Sequence, residues 1–486
     1  MTLLAPSPFM VALIQAAAVL PTFLLALPAG ALADIVDRRR LLLATQSFGI
    51  AVMALLGMVT FLGLATPSIV LLATFAIGSA SALNAPAFQA VLPDLVPKPL
   101  MKSAVALNSV GVNVSRALGP ALGGFLVIAV GIASTFFLDA LFSLGVIAVF
   151  KRWQAPPPRS DLPAERFFSA MRTAIRFTRE APELRATLVV TGAFFFTASA
   201  YWGLLPLIAR DRLGGGPGSY GLLLACIGAG AIGGAMVLPK ARAHLSPDRL
   251  VLAASIMTAA VMTILPFATL PLAVVLMLMA GVAWITVLST LNVAAQVALP
   301  AWVRARGLSV YLAVLSGGLA IGSPAWGFVA DRIGIPLALA AASVGLVGGS
   351  LFALRWTLPP PEAPDLTPSM HWPEPLMLLD DVDYWHGPVM IQVEYHVPPE
   401  RHAAFARALE RLGRIRRRDG AIFWDHFIDT GDPTRHVEIF LLDSWLQHLR
   451  QHERVTVADR IMEDQVLAFT DGQPPGVTHF VTPDAD

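Results

Sequence analysis

Arg116 and Asp139 are ionisable residues inside long apolar runs of this 486-residue chain, where a charge is costly unless it is paired or wetted. Arg116 stands about thirteen residues into its run, roughly 20 Å along a helix at 1.5 Å per residue. Asp139 stands about five residues into the next run, entered from the opposite side of an apolar layer about 30 Å thick. The two therefore lie at similar depth and can meet. One chemistry for them is an ion pair or a proton-sensitive switch at a cavity wall; the other is a structural pair that tethers two helices. Replacing Asp139 by Asn separates the two, abolishing pH-dependent transport in the first case and only lowering protein yield in the second. Polar side chains able to line a path through the same layer are Gln15, Asn84, Gln89, Asn108, Asn113, Tyr201, Trp202, Ser289, Asn292 and Gln296. Amides and aromatics with few fixed charges suit a bulky amphiphile better than a small ion, although each alone has the ordinary reading of an interhelix hydrogen bond. His448 and His452 are one helical turn apart, the spacing of a metal pair. No third ligand is identifiable, so a surface histidine pair is the reading, with no metal and no cofactor.

Composition decides what must position these groups. The chain is 56% hydrophobic and 14% charged with mean hydropathy +0.66, whereas a soluble surface needs roughly a quarter charged residues. Apolar runs near twenty residues long fall at about 9–31, 41–63, 68–91, 103–129, 132–150, 187–209, 219–239, 250–268, 271–298, 307–330 and 334–354, predicting about eleven membrane-spanning helices. The connections alternate in charge. One set carries Arg38 to Arg40, Lys98 and Lys102, Lys151 through Arg185, Lys240 to Arg249, Arg304 and Arg306, and Arg355, which places it in the cytoplasm and the N-terminus outside. The net charge of +1 carries no nucleic-acid signal, and the single Cys226 excludes an intrachain disulfide. No Gly-x4-Gly-Lys-Ser/Thr loop is present, which argues against an ATP-driven pump.

An internal repeat predicts two pseudo-symmetric bundles. Leu83-Asn84, Gln89, Pro93 and Val96 recur as Leu291-Asn292, Gln296, Pro300 and Val303, while Ala117, Gly119, Gly124 and Phe125 recur as Ala320, Gly322, Gly327 and Phe328, at nearly equal offsets. Gly111, Ser115, Gly119 and Gly123 fall four apart, a smooth stripe that lets a neighbouring backbone approach, and Pro120 favours a bend. Gly228 to Gly234 and Gly317 to Gly322 are equivalent packing faces of the second half.

The stretch Gly30-Ala-Leu-Ala-Asp34-Ile-Val-Asp-Arg38-Arg39-Arg40 resembles the loop signature of major facilitator superfamily transporters, with Asp37 where that signature has glycine. Gly119-Pro120-Ala-Leu-Gly123-Gly124 resembles the pattern of its exporters and antiporters. These motifs, with Leu204 to Asp211 and Ala106 to Gly124, resemble the transmembrane secretion effector branch, to which enterobactin exporters are related. The resemblance implies a gate at Gly30, Asp34, Arg38 and Arg39, in which the Asp34 carboxylate sits against a helix end of the opposite half; topogenic charge is the plainer reading for Arg39 and Arg40. It also implies that the family's first helix is absent here, and a truncated reading frame is the expectation. The implied activity is proton-driven export of a siderophore, drug or other secondary metabolite across an inner membrane, with the substrate, protons and the bilayer as partners.

The expected division is a first bundle over 1–150, a cytoplasmic loop over 151–185, a second bundle over 186–356, a linker over 357–386 and a soluble domain over 387–486. In the loop Phe167, Phe168, Met171 and Ile175 fall on one helical face and Arg172, Arg176 and Arg179 on the other, as for a helix lying on an anionic leaflet. In the tail, strands are predicted at Val389–Tyr395, Ala421–Ile428, Arg435–Leu442 and Gly476–Val481, with helices at Pro398–Ile415 and Trp445–Phe469. This order is ferredoxin-like. The tail resembles the antibiotic-biosynthesis monooxygenase group of dimeric α+β barrels, which implies a homodimer. Trp424, His426 and His436 offer groups for catalysis, but docking, dimerisation or regulation is the expected role, and a membrane-anchored enzyme is the alternative.

Overall fold

The computed structural model describes residues 7–95, 129–153, 167–213, 217–300, 302–359, 365–372, 385–470 and 474–482, with isolated positions between 111 and 127. Among the described residues ten helices are long and apolar enough to cross a membrane. The expected span at 103–129 lies largely outside the described residues; Gly111, Ser115, Gly119 and Gly123, which are described, are helical.

The first set of helices is α1 (Pro8–Ile35), α2 (Arg38–Phe61), α3 (Pro67–Leu95) and α4 (Ile132–Arg152). After α5 (Phe167–Glu180) the second set follows as α6 (Pro182–Asp211), α7 (Pro217–Arg242), α8 (Pro247–Ile264), α9 (Leu270–Val297), α10 (Arg304–Ile333) and α11 (Ile335–Ala353). Proline opens α1, α3, α6, α7 and α8, where its missing N–H is no loss and its fixed φ suits the first turn. α4 and α11 start differently. Each is preceded by a glycine in the left-handed region, Gly131 at φ 83° and Gly334 at φ 84°, a conformation that a β-carbon penalises. Both glycines follow the repeated Ala-x-Gly pattern at the same distance, so the two halves share a backbone device as well as a sequence pattern.

The faces of these helices that meet no neighbour are apolar: Phe61, Phe142 and Val344 are each more than 70% exposed, as a hydrocarbon surrounding requires. Inward faces pack through small residues. A β-carbon on Gly230 would strike the Leu278 carbonyl and one on Gly281 the Ile227 carbonyl, so α7 and α9 touch backbone to backbone. A β-carbon on Gly322 would strike the Phe196 carbonyl and the Ser199 hydroxyl of α6, and one on Gly318 would crowd the Phe196 N–H less severely. By contrast, no described atom lies within 4 Å of a β-carbon built on Gly111, Gly119 or Gly123.

The chain forms two compact units: residues 1–164, 186–295 and 308–360 in one, and residues 165–185, 296–307 and 361–486 in the other. In the second, β1 (Val389–His396), β2 (Phe423–Ile428), β3 (Arg435–Leu442) and β4 (Gly476–Val481) make an antiparallel sheet of order β2-β3-β1-β4. Val389, Ile391, Val393 and Tyr395 alternate inward along β1 onto Phe405, Leu409 and Leu412 of α12 (His402–Asp419). The helix expected over Trp445–Phe469 is two helices, α13 (Trp445–Arg454) and α14 (Val457–Leu467). Thr456 causes the break: its side chain and Asp459 form a reciprocal capping box that restarts the helix.

Candidate functional site

A cavity of about 280 Å³ lies among α2, α3 and α4. Gln46, Gly49, Ile50 and Met53 come from α2, Ile77, Ala80, Ser81, Asn84, Ala85 and Phe88 from α3, and Asp139 and Ser143 from α4. Helical spacing puts each set on one face, with polar tips among aliphatic and aromatic walls. The Asn84 amide donates to Thr45 Oγ1 at 3.0 Å. The Thr45 hydroxyl itself turns back onto the Leu41 carbonyl at 2.9 Å, which fixes the acceptor and hence the amide. Asp139 has no hydrogen-bond or ion-pair partner among the described residues. An ionisable group opening into a small, mostly apolar cavity beside an oriented amide can exchange a proton and contact a ligand in the same place.

Two of the sequence candidates, Asn84 and Asp139, are thus brought together. Arg116, Asn108 and Asn113 lie outside the described residues, as do Pro120 and Gly124 and the side chain of Gln89. Asn292 and Gln296 sit on α9 and do not line this cavity. Ser289 accepts a hydrogen bond from Arg242 at 2.9 Å, tying α7 to α9. Tyr201 and Trp202 belong to an aromatic cluster: the Trp202 ring lies 5.4 Å from Tyr201 and 5.1 Å from Trp284. Gln46, Ser81 and Ser143 were missed by the sequence reading. A serine inside an apolar run carries too weak a polarity signal to single out without knowing which face is enclosed.

At the signature loop the side chains of Asp34 and Arg38 lie outside the described residues. Asp37 caps α2, accepting from the Arg40 N–H at 2.8 Å, so the acid in the glycine position does work that a glycine cannot. Arg39 donates to the Phe150 carbonyl at 3.0 Å and to that of Lys151, holding the end of α4 against the start of α2. An unforeseen contact lies at the opposite helix ends. Asp331, in the last turn of α10, accepts from the Ser7 hydroxyl at 2.9 Å and the Phe9 N–H at 3.2 Å, binding the start of α1.

In the tail, His448 Nε2 and His452 Nε2 are 3.3 Å apart. Burial, then repulsion from His452 and His479, pushes His448 down to about 3, and burial pushes His452 down to about 4. Both are neutral imidazoles at neutral pH. Among the described residues no group of three His, Cys, Asp or Glu is arranged to hold a metal. His426 Nε2 and His436 Nδ1 are hydrogen-bonded at 2.8 Å, and Trp424 donates to Glu438 at 2.8 Å. Glu438 also meets Arg416 and Tyr395, and Arg416 reaches Glu463 at 2.7 Å. The Glu463 carboxylate in turn accepts from Trp372 at 3.0 Å. Residues 365–372, within the expected linker 357–386, lie along the start of α14 through the Val457 N–H to the Thr367 carbonyl and the Ser369 N–H to the Val455 carbonyl.

Comparison with known proteins gives the following. The sequence profile of a family described as "Transmembrane secretion effector" matches residues 1–486. A protein of Staphylococcus aureus (strain NCTC 8325 / PS 47) named "Staphyloferrin A transporter" is 29% identical over 226 residues, 45% of this chain and 55% of that protein. The chain thus spans about half the length of that curated relative. Among solved structures, a bacterial homologue of the human lysosomal transporter Spinster, inward-facing and occupied, aligns with a TM-score of 0.55 at 16% identity, over 72% of this chain and 90% of its own. A POT family transporter in complex with 5-aminolevulinic acid aligns with a TM-score of 0.58 at 14% identity, over 71% and 87%. At such identities the likeness is one of fold.

Proposed function

The chain belongs to the transmembrane secretion effector family, and from that premise we propose that it is a secondary active transporter, not an enzyme. In this reading it exports a siderophore, drug or other secondary metabolite by alternating access, coupled to proton entry. The observation that carries the reading is the cavity in which Asp139 and the oriented Asn84 amide share a wall with Met53, Ile50 and Phe88. Coupling requires a titratable group whose protonation favours one state of the transporter, and Asp139 is placed to be that group. The name of the S. aureus relative supports siderophore-type cargo. Arg116, Asn108, Asn113, Gln89, Asn292 and Gln296 remain the proposed further path residues, and Gly30, Asp34, Arg38 and Arg39 the proposed gate.

We place the chain in the inner membrane with its tail in the cytoplasm, as the distribution of Lys and Arg supports. The tail we read as a ferredoxin-like domain, and its sheet supports a homodimer. One face of the sheet is covered by helices. Cross-strand neighbours on the other are Phe423, Leu441, Met390 and Phe480, and Phe423, Phe427 and Phe480 are each more than 40% exposed. An apolar sheet face of this kind calls for a second layer, and a second copy supplies one of matching size.

The test compares small molecules inside cells and in the medium for a strain lacking the protein and strains given back the full chain or the Asp139→Asn variant. Accumulation in the deletion strain, relieved by the full chain in a pH-dependent way and by the variant only more slowly and without that pH dependence, supports the exporter reading. A compound that changes oxidation state instead of location overturns it in favour of a catalytic tail.

A further inference from the structure

The second compact unit joins three stretches far apart in sequence: α5, the connection 296–307 and the C-terminal domain. What joins them is a seam of rings and cations. Phe177 of α5 is 2% exposed, with the Arg418 guanidinium 5.6 Å from its ring centre. The edge of Trp302, from the connection, meets Phe177 at 5.7 Å between centroids. The Arg454 guanidinium stacks 4.6 Å over Trp302.

Both cations are held from behind. Arg418 is paired with Asp419 at 2.8 Å and Asp459 at 2.6 Å, and Arg454 donates to the Asp419 carbonyl at 3.0 Å. Arg176, one residue before Phe177, donates to the neighbouring Gly420 carbonyl. The Trp302 Nε1 is buried with no hydrogen-bond partner among the described residues. Packing and the cation over its face, rather than polar recognition, therefore position that indole.

The chain leaving each ring enters a long apolar helix. Phe177 is followed by α6, which begins at Pro182, and Trp302 by α10, which begins at Arg304. Counting helices shows that the starts of α6 and α10 and the end of α11 lie on one side of the layer, the side from which the C-terminal domain continues. We propose that the C-terminal domain is an intramolecular clamp whose binding surface, formed by Arg418, Arg454 and the Asp419–Gly420 turn, takes the aromatic side chains of Phe177 and Trp302 and ties the starts of α6 and α10 together. A second bundle tied in this way moves as one body, and release of either ring changes the balance between the transporter's states. This inference rests on the alternating-access reading given above.

The experiment uses the full chain in liposomes, with Cys226→Ser as background and Ser81→Cys in the cavity as a reporter of maleimide reactivity. Hydrogen exchange is read on residues 167–185 and 302–307. Phe177→Ala and Trp302→Ala should each speed exchange there by about tenfold while β1 and β3 stay protected. Each should also change the maleimide rate at Ser81→Cys by about threefold or more. Phe177→Leu and Trp302→Leu, which remove the ring but keep an apolar side chain, repeat the test if an alanine chain fails to fold. Faster exchange with an unchanged maleimide rate overturns the clamp, since the seam is then packing alone. A reporter that responds to a pH gradient in the parent but not to the variants overturns the clamp and leaves the transport reading standing. A reporter that responds to nothing in the parent overturns both.

Discussion

Asp139 lines its cavity with no partner among the described residues, whereas in the C-terminal domain Glu438 and Glu463 share the Arg416 guanidinium and accept the indole N–H groups of Trp424 and Trp372. Arg416 is 5% exposed and lies between Glu438 and Glu463, with Tyr395, Trp424 and Trp372 completing the two carboxylates. Asp139 has an amide nearby and no ionic partner among the described residues. A closed network resists change, because removing one member strands the rest. A group at an open cavity has no such partner to strand. The difference separates a group that holds the chain's shape from one that the fold does not need for its shape.

The largest effect is expected where the closed network is opened. Arg416→Met leaves Glu438 buried without a cation and Glu463 with only the His371 ring at 2.7 Å, and should destabilise the C-terminal domain by about 3–5 kcal/mol. Hydrogen exchange across residues 389–470 of the full chain should show protection lost throughout. Adding Glu438→Gln and Glu463→Gln should return most of it, which a simple loss of packing would not allow.

A smaller effect is expected at the helix seams. Gly281→Val puts a side chain against the Ile227 carbonyl and the Ala231 N–H, and overpacking of this kind costs about 1–3 kcal/mol. Gly119→Ala, where no described atom lies within 4 Å, should stay within about 0.5 kcal/mol. Thermal unfolding in detergent checks the pair, and equal effects would show that the first stripe is packed as tightly as the second.

The histidines of the tail give the next effect. His448, His452 and His436 are all depressed, to about 3, 4 and 4, chiefly by burial. A histidine depressed in the folded state gives its full stability above the unfolded value near 6.5, and that stability is lost as pH falls through 6.5 towards the folded value. For the well-buried His448 the loss is at most about 1.4 kcal/mol per pH unit. Asp419 works in the opposite sense: burial raises it to about 6, so its contribution grows as pH falls from 6 towards the ordinary aspartate value near 3.9. Three groups outweigh one, and exchange protection across α12 to α14 should decline between pH 6.5 and 5. Unchanged protection would mean that the rings are less enclosed than the geometry shows.

Much of the helical layer was legible because twenty-residue apolar runs have one solution in lipid. The starts of α4 and α11 were less so, since a left-handed glycine looks like any other glycine in the sequence. The break between α13 and α14 was missed because an apolar period runs through it, while the Thr456 capping box that interrupts it is a local device. Asn84 and Asp139 could be chosen from residue type alone. Gln46, Ser81 and Ser143 could not, because their relevance depends on the rotation of each helix, which the all-round apolar spans leave unmarked. The segment 365–372 and the seam at Phe177 and Trp302 depend on pairings between stretches far apart in the sequence, and neither segment carries a pattern that names its partner.

The smallest expected effect on stability is the one that bears most on function. Asp139→Asn removes a charge from an open cavity and no paired cation among the described residues, so the melting temperature and yield should hold, with a change within about 0.5 kcal/mol. Transport should continue at a reduced rate but lose its dependence on pH, because the amide cannot titrate. A large fall in yield would instead mean that Asp139 is paired as tightly as Glu438, and the contrast between the two regions would disappear. Asn84→Ala sharpens the test. It removes the donor to Thr45 and a cavity wall group but no proton site, so it should weaken substrate binding while leaving the pH profile in place. A shifted pH profile in that variant would show that the amide tunes Asp139 rather than contacting cargo.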